Sequence, residues 1–163
     1  MDEDEHIKEV YAYYGLVMYH VQCVERGLCL LLALEKALSM RTITKYDYDN
    51  ILNDLFKQTL GSLIKKMKES VEVADNFEAN VERALKIRNW LAHHYFWERA
   101  GHFMTAEGRN FMLKELQQAL RLFEDLYKYL DEITDEWAKK VGLTRELAEK
   151  KMEELIKSVK APE

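Results

Sequence analysis

The chain has 163 residues, 48% of them hydrophobic, which is enough for one domain with a real core and too few to favour two. Six glycines and a single proline, Pro162, indicate long uninterrupted helices, and 33% charged residues suit their exposed faces. A formal net charge of −5 argues against a surface that coats nucleic acid generally, but Lys65, Lys66, Lys68, Arg83, Lys86 and Arg88 can still build a local basic groove.

Residues from about Asp4 to Met40 are expected to form one long helix. Val10, Tyr14, Val17, Val21, Val24, Leu28, Leu31, Glu35 and Leu38 alternate four and three apart, the spacing of a packed seam. Glu35 interrupts that seam. Either helical drift turns it to solvent, or it is the buried partner of a cation, for which Arg88 is the obvious choice. Cys23 and Cys29 share this helix, about 9 Å apart along its axis, too far to bridge, which points to buried free thiols in a reducing compartment. The acidic start, MDEDEHIKE, lacks a signal-peptide pattern, and the apolar run Leu28 to Leu34 is far short of a membrane span. A soluble, cytoplasmic protein with no membrane partner is expected.

A loop over Ser39 to Asn50 follows, with Asp47 or a neighbour capping a second helix. Two short helical pieces are expected, from about Tyr48 to Phe56 and from Thr59 to Glu69, with Thr59 as a cap and Gly61 allowing close backbone approach. Glu69 to Glu78 is polar enough for a connection. A further helix is expected from about Asn76 to Trp97. Thr105 should cap the next, on which Met112, Leu116, Ala119, Phe123, Leu126, Leu130, Ile133 and Trp137 give the clearest heptad pattern in the chain. The VGL sequence at 141–143 is a break, and Thr144 should cap a last helix carrying Leu147, Met152, Leu155, Ile156 and Val159. The expected fold is an all-α antiparallel bundle of four to five helices over residues 1–140, with an extra C-terminal helix over 141–163.

The helix from Asn76 to Trp97 carries RNWLAHHY, Arg88 to Tyr95. At about 100° per residue, Val81, Ala84, Leu85, Arg88, Ala92 and Tyr95 fall in one stripe, with Arg88 near its middle. A guanidinium keeps its proton, so in an apolar stripe it needs a carboxylate, a phosphate or a wet interface. Arginine and histidine five apart arise by chance in roughly one chain in four of this composition, so that spacing alone carries little. Asn89 beside the arginine, Tyr95 two after His93 and the stripe position of Arg88 carry more. His20 with Cys23, or His93, His94 and His102 together, are weak metal sets, because neither has a complete ligand pattern. No phosphate-binding glycine loop or nucleophile elbow is present, and no cofactor is expected.

RNWLAH resembles the R-N-x3-H signature of HEPN domains, small α-helical domains that include many metal-independent RNases. RNWLAHHY extends the likeness to the R-x4-H-x-Y form of HEPN toxins paired with a nucleotidyltransferase antitoxin. An acidic residue in the first long helix, taken as Glu35, and the TLGSLI segment add to it, over roughly Glu5 to Asp131. The resemblance implies RNA as substrate, a homodimer whose paired motifs face one another, and Arg88, Asn89 and His93 as catalytic residues. A histidine near its ordinary pKa of about 6.5 can take the proton of a ribose 2′-OH, and a planar arginine fork can stabilise the phosphate charge. Tyr95 completes the apolar stripe as a core residue; its counterpart in the toxin subgroup accepts nucleotidyl groups from the antitoxin. His94 is expected at a surface or interface, and Phe96 and Trp97 in packing rather than base stacking. Arg88 and His93 lie about 140° apart on an ideal helix, so the motif fits half of a site better than a whole one. The alternative function is a non-catalytic HEPN-fold module for dimerisation, nucleotide binding or partner binding.

Overall fold

A computed structural model of the chain describes residues 3–40, 42–142 and 145–158. It is all-α: α1 (Glu3–Ser39), α2 (Lys45–Phe56), α3 (Leu60–Ser70), α4 (Asp75–His93), α5 (Tyr95–Glu98), α6 (Ala100–Phe103), α7 (Ala106–Lys140) and α8 (Arg145–Ser158), with no strand among the described residues. The two long helices dominate. On α1, Val10, Val17, Val21, Val24, Leu28 and Leu31 are buried; on α7, Met112, Leu116, Ala119, Phe123, Leu126 and Leu130 are buried. These central stretches of both seams are those expected from the spacing and form the centre of one apolar core; Tyr14, Ile133 and Trp137 are half-buried against it, and Leu38, expected in the α1 seam, is 42% exposed at the helix end.

The ends of the helices follow local chemistry. Thr59 and Thr105 cap α3 and α7 by accepting from the Ser62 and Gly108 amides. The cap of α2 is Thr44 rather than Asp47. Thr44 accepts from the Asp47 amide while the Asp47 carboxylate accepts from the Thr44 amide, a reciprocal box that starts the helix three residues earlier than expected. Those hydrogen bonds, led by that from the Thr44 hydroxyl, hold the Asp47 carboxyl below its ordinary range. Gly142, at φ 77°, stops α7 in the left-handed conformation that a glycine adopts without strain. Thr144 and Val159 lie outside the described residues.

The packing corrects the antiparallel expectation for the longest pair. Glu3 meets Arg109, His20 lies beside Glu124 and a Cβ on Gly27 would press on Leu130, so α1 and α7 run parallel. They are far apart in sequence, and only short loops force neighbours to be antiparallel. Helix α4 runs opposite to both: Phe77 stacks on Tyr129 while Tyr95, just past its end, bonds to Met112, and Tyr14 on α1 bonds to Leu91. Helix α3 pairs antiparallel with α4 through Lys68, which is held by Glu78 at 2.7 Å and by Glu82. At Gly61 an added Cβ would meet Leu85 at an ordinary 3.7 Å, so close approach does not require glycine there. It does at Gly108, where a Cβ would overlap the backbone carbonyl of His102.

Helix α1 is also more apolar than the Leu28–Leu34 run implies. No Asp, Glu, Lys or Arg occurs from Val10 to Val24, and an 18-residue window of the helix reaches a mean hydropathy of 1.3. Half of that window is buried inside the fold, as in a core helix.

Candidate functional site

The expected helix Asn76–Trp97 is two helices with a bend. α4 ends at His93, His94 adopts φ −131°, ψ −21°, and a four-residue helix resumes at Tyr95. The buried line of α4 is Phe77, Val81, Ala84 and Leu91, whereas Ala92 is exposed. Arg88 falls on that line, between Ala84 and Leu91, and is half-buried. α4 packs against α7 and α3 along the line, which passes through Leu91 rather than through Ala92, about 100° away.

There the guanidinium is oriented on two sides. Its Nη1 donates to Asn89 Oδ1 at 3.0 Å, and its Nη2 lies 3.4 Å from Glu25 Oε1 on α1. The acid that answers Arg88 is thus Glu25. Glu35 sits ten residues further along α1, half-buried in the wall of a cleft of about 570 Å³ among α1, α2 and α3, with Lys36, Asp54 and Lys66. Leu91 lies against Tyr14, and one helical turn back along an antiparallel α4 brings Arg88 level with the middle of α1, not with its far end. Glu25 Oε1 is buried and accepts no geometrically sound hydrogen bond, so the ion pair is its main compensation. The sequence carried a signal for it: Glu25 is the first charge after the uncharged stretch Val10 to Val24.

Asn89 and His93 are exposed one helical turn apart, and His94, also exposed, presents its ring 6.2 Å from that of His93. No hydrogen bond or ion pair joins Arg88 to His93 among the described residues, consistent with their separation around the helix. Four clefts open elsewhere, between α1 and α7, among α1 to α3, between α3 and α4, and between α6 and α7, and none is lined by Arg88, Asn89 or His93. The motif stands on an open ledge. The basic residues nearby do not form a groove of one sign: Lys65 is within 4.0 Å of Glu69, and Lys68 is bound to two glutamates. Among the described residues no three His, Cys, Asp or Glu side chains are grouped to hold a metal ion.

Tyr95 is a core residue. It is 1% exposed, its hydroxyl donates to the Met112 carbonyl at 3.2 Å, and its ring contacts Tyr14, Trp90 and Phe96. Burial, with Glu115 nearby, pushes its pKa well above the ordinary 10.0. The hydroxyl lies inside the core in this conformation, where the stripe position places it. Phe96 packs as expected, against Tyr14, Tyr11 and Phe103. Trp97 does not: it is 86% exposed.

Two buried or half-buried arginines beneath the ledge, Arg99 and Arg109, have no signal in the sequence spacing. Arg99 makes a two-pronged bond to Glu115 on α7, at 2.8 and 2.7 Å, under the face of Trp90. Trp90 in turn donates to Glu98 at 2.8 Å. Arg109 is 4% exposed, donates to the Phe103 carbonyl at 2.9 Å and meets Glu3 at 3.4 Å. These tie α5 and α6 to α7 and so fix the far side of the ledge. Their partners are 6 to 106 residues away in sequence, and spacing alone gives no sign of them.

The chain matches no family model, no curated protein and no solved structure.

Proposed function

We propose that the protein is a metal-independent endoribonuclease of HEPN type, a toxin or defence effector of the cytoplasm, whose sites form between two protomers of a homodimer. The observation that carries the reading is the state of RNWLAHHY at the surface. Arg88 is held in place by Glu25 and Asn89, and His93 stands exposed one turn beyond Asn89. An oriented guanidinium stabilises charge without reorganising when that charge develops.

In the proposed reaction, His93 takes the proton of a ribose 2′-OH and the oxygen attacks the adjacent phosphorus. The bond from phosphorus to the 5′-oxygen breaks and that oxygen takes a proton from water, leaving a 2′,3′-cyclic phosphate on one fragment and a 5′-hydroxyl on the other, while His93 returns its proton to solvent. Arg88 of one protomer serves the His93 of its partner, which resolves the 140° between them on one helix. Asn89 accepts from Arg88 through its carbonyl, so its amide remains able to donate to phosphate.

Cleavage of single-stranded RNA in EDTA by the wild type and by His93→Ala tests this. The variant should lose cleavage while melting at the wild-type temperature, because the side chain is exposed; cleavage by His93→Ala at the wild-type rate contradicts it. The compensation of Arg88 by Glu25 favours a second reading, a non-catalytic HEPN-fold binding module. That reading predicts RNA or partner binding by the wild type with no cleavage at all.

A further inference from the structure

The five residues Tyr95 to Arg99 are pinned almost completely. Tyr95 is locked into the core, Phe96 packs among Tyr11, Tyr14 and Phe103, Glu98 accepts from Trp90, and Arg99 is bound to Glu115. Trp97 is the exception. Among the described residues it makes no ring contact or hydrogen bond, and its indole is 86% exposed, more than any other large apolar side chain there. Asn89, His93 and Trp97 follow one another at intervals of four residues, opposite the buried Leu91 and Tyr95, and all three are exposed. Beyond the bend at His94, the Glu98 and Arg99 amides bond to the His94 and Tyr95 carbonyls at 2.9 Å, so the backbone that carries Trp97 is helical.

We infer that Trp97 is a stacking platform for a nucleobase of single-stranded RNA, which positions the adjoining ribose and phosphate beside His93. This rests on the proposed RNase reading and adds the residue that would set substrate register. A bare indole on a rigid support suits a base, whose flat face needs one aromatic partner and whose rim is polar. A protein hot spot sits instead in a well-packed apolar surround. Here Glu98 follows the indole, and Asn89, His93 and His94 precede it on the exposed side, all polar; the adjacent Phe96 turns into the core. Support from Tyr95, Phe96 and Arg99 fixes the backbone under the indole before RNA arrives, so only its side-chain rotamers are left to be ordered on binding.

Two measurements separate this from the RNase reading. The first is binding of an oligoribonucleotide to His93→Ala, read by tryptophan fluorescence, with Trp97→Phe in the same background subtracting Trp90 and Trp137. Quenching of the Trp97 emission, lost when an abasic site replaces the stacked base, is the expected result. The second is cleavage kinetics of Trp97→Ala and Trp97→Tyr: about a tenfold rise in KM for alanine, the size of one lost base contact, and recovery with tyrosine. Active wild-type enzyme with no Trp97 quenching and an unchanged KM in Trp97→Ala overturns the platform and leaves the RNase standing. Quenching without cleavage by the wild type keeps the platform and overturns the RNase. A monomeric Trp97→Ala beside a dimeric wild type would assign the indole to the subunit interface and overturn the inference.

Discussion

Replacing Tyr95 by phenylalanine separates a core role from a chemical one. The change removes only the hydroxyl that donates to Met112 and leaves the ring against Tyr14, Trp90 and Phe96. A net hydrogen bond of this kind contributes about 1 kcal/mol, and the Met112 carbonyl, inside a helix, keeps its backbone environment. In a chain of this size that lowers Tm by roughly 2–4 °C, whereas Tyr95→Ala, which empties the ring site, should cost about 3–5 kcal/mol. The gap between wild type and Tyr95→Phe should also depend on pH. Burial raises the Tyr95 pKa in the fold, so the stability that follows from keeping it neutral is whole below pH 10.0, the unfolded value, and erodes as pH climbs above it. The loss reaches at most about 1.4 kcal/mol per pH unit from this one group. Phenylalanine has nothing to titrate, so the wild type should lose its advantage between about pH 10 and 11. Paired thermal melts at pH 7 and above pH 10, with RNA cleavage at pH 7, read all of this. A Tyr95→Phe variant that melts like wild type at both pH values, or native protein nucleotidylated at Tyr95 without unfolding, would refute the core role.

Gly108→Ala should destabilise the fold by roughly 1–3 kcal/mol or more, because the new methyl meets the rigid His102 backbone rather than a side chain able to move; an unchanged melting temperature would refute that packing. Cys29 is 2% exposed and burial pushes its thiol up to about 11, so at pH 8 a thiol reagent should modify Cys23 in the native protein and reach Cys29 only on denaturation; two fast thiols in the native state would contradict this. Glu25→Gln should loosen Arg88 and lower kcat for RNA cleavage several-fold with little change in Tm; full activity would detach Glu25 from the site.

How much of this was legible in the chain depends on the range of the interaction. The seams of α1 and α7 and the caps at Thr59 and Thr105 are local, set by spacing and by hydrogen bonds three residues long, and they stand where the residues placed them. Position around a helix is less secure. The spacing runs the stripe from Arg88 to Ala92, but contact with α7 and α3 takes it through Leu91, with Arg88 still on it. Glu25 and Glu35 both lie among the apolar residues of α1, and only the level at which α4 crosses chooses between them. The parallel course of α1 and α7, the bend at His94, and the pairs Arg99–Glu115 and Arg109–Glu3 are tertiary facts with no periodic trace. The exposure of Trp97 is one of them: composition favours burying an indole, and nothing within four residues shows that its side of α5 has no neighbour.

Mixing Arg88→Ala with His93→Ala protein, after subunit exchange, tests the shared site most directly. Each variant alone should be inactive, while the mixture should recover up to about a quarter of wild-type RNA cleavage in EDTA, since half the dimers are mixed and half of their sites are intact. Inactive mixtures in which subunit exchange is demonstrated would contradict a site that takes its arginine and its histidine from different protomers.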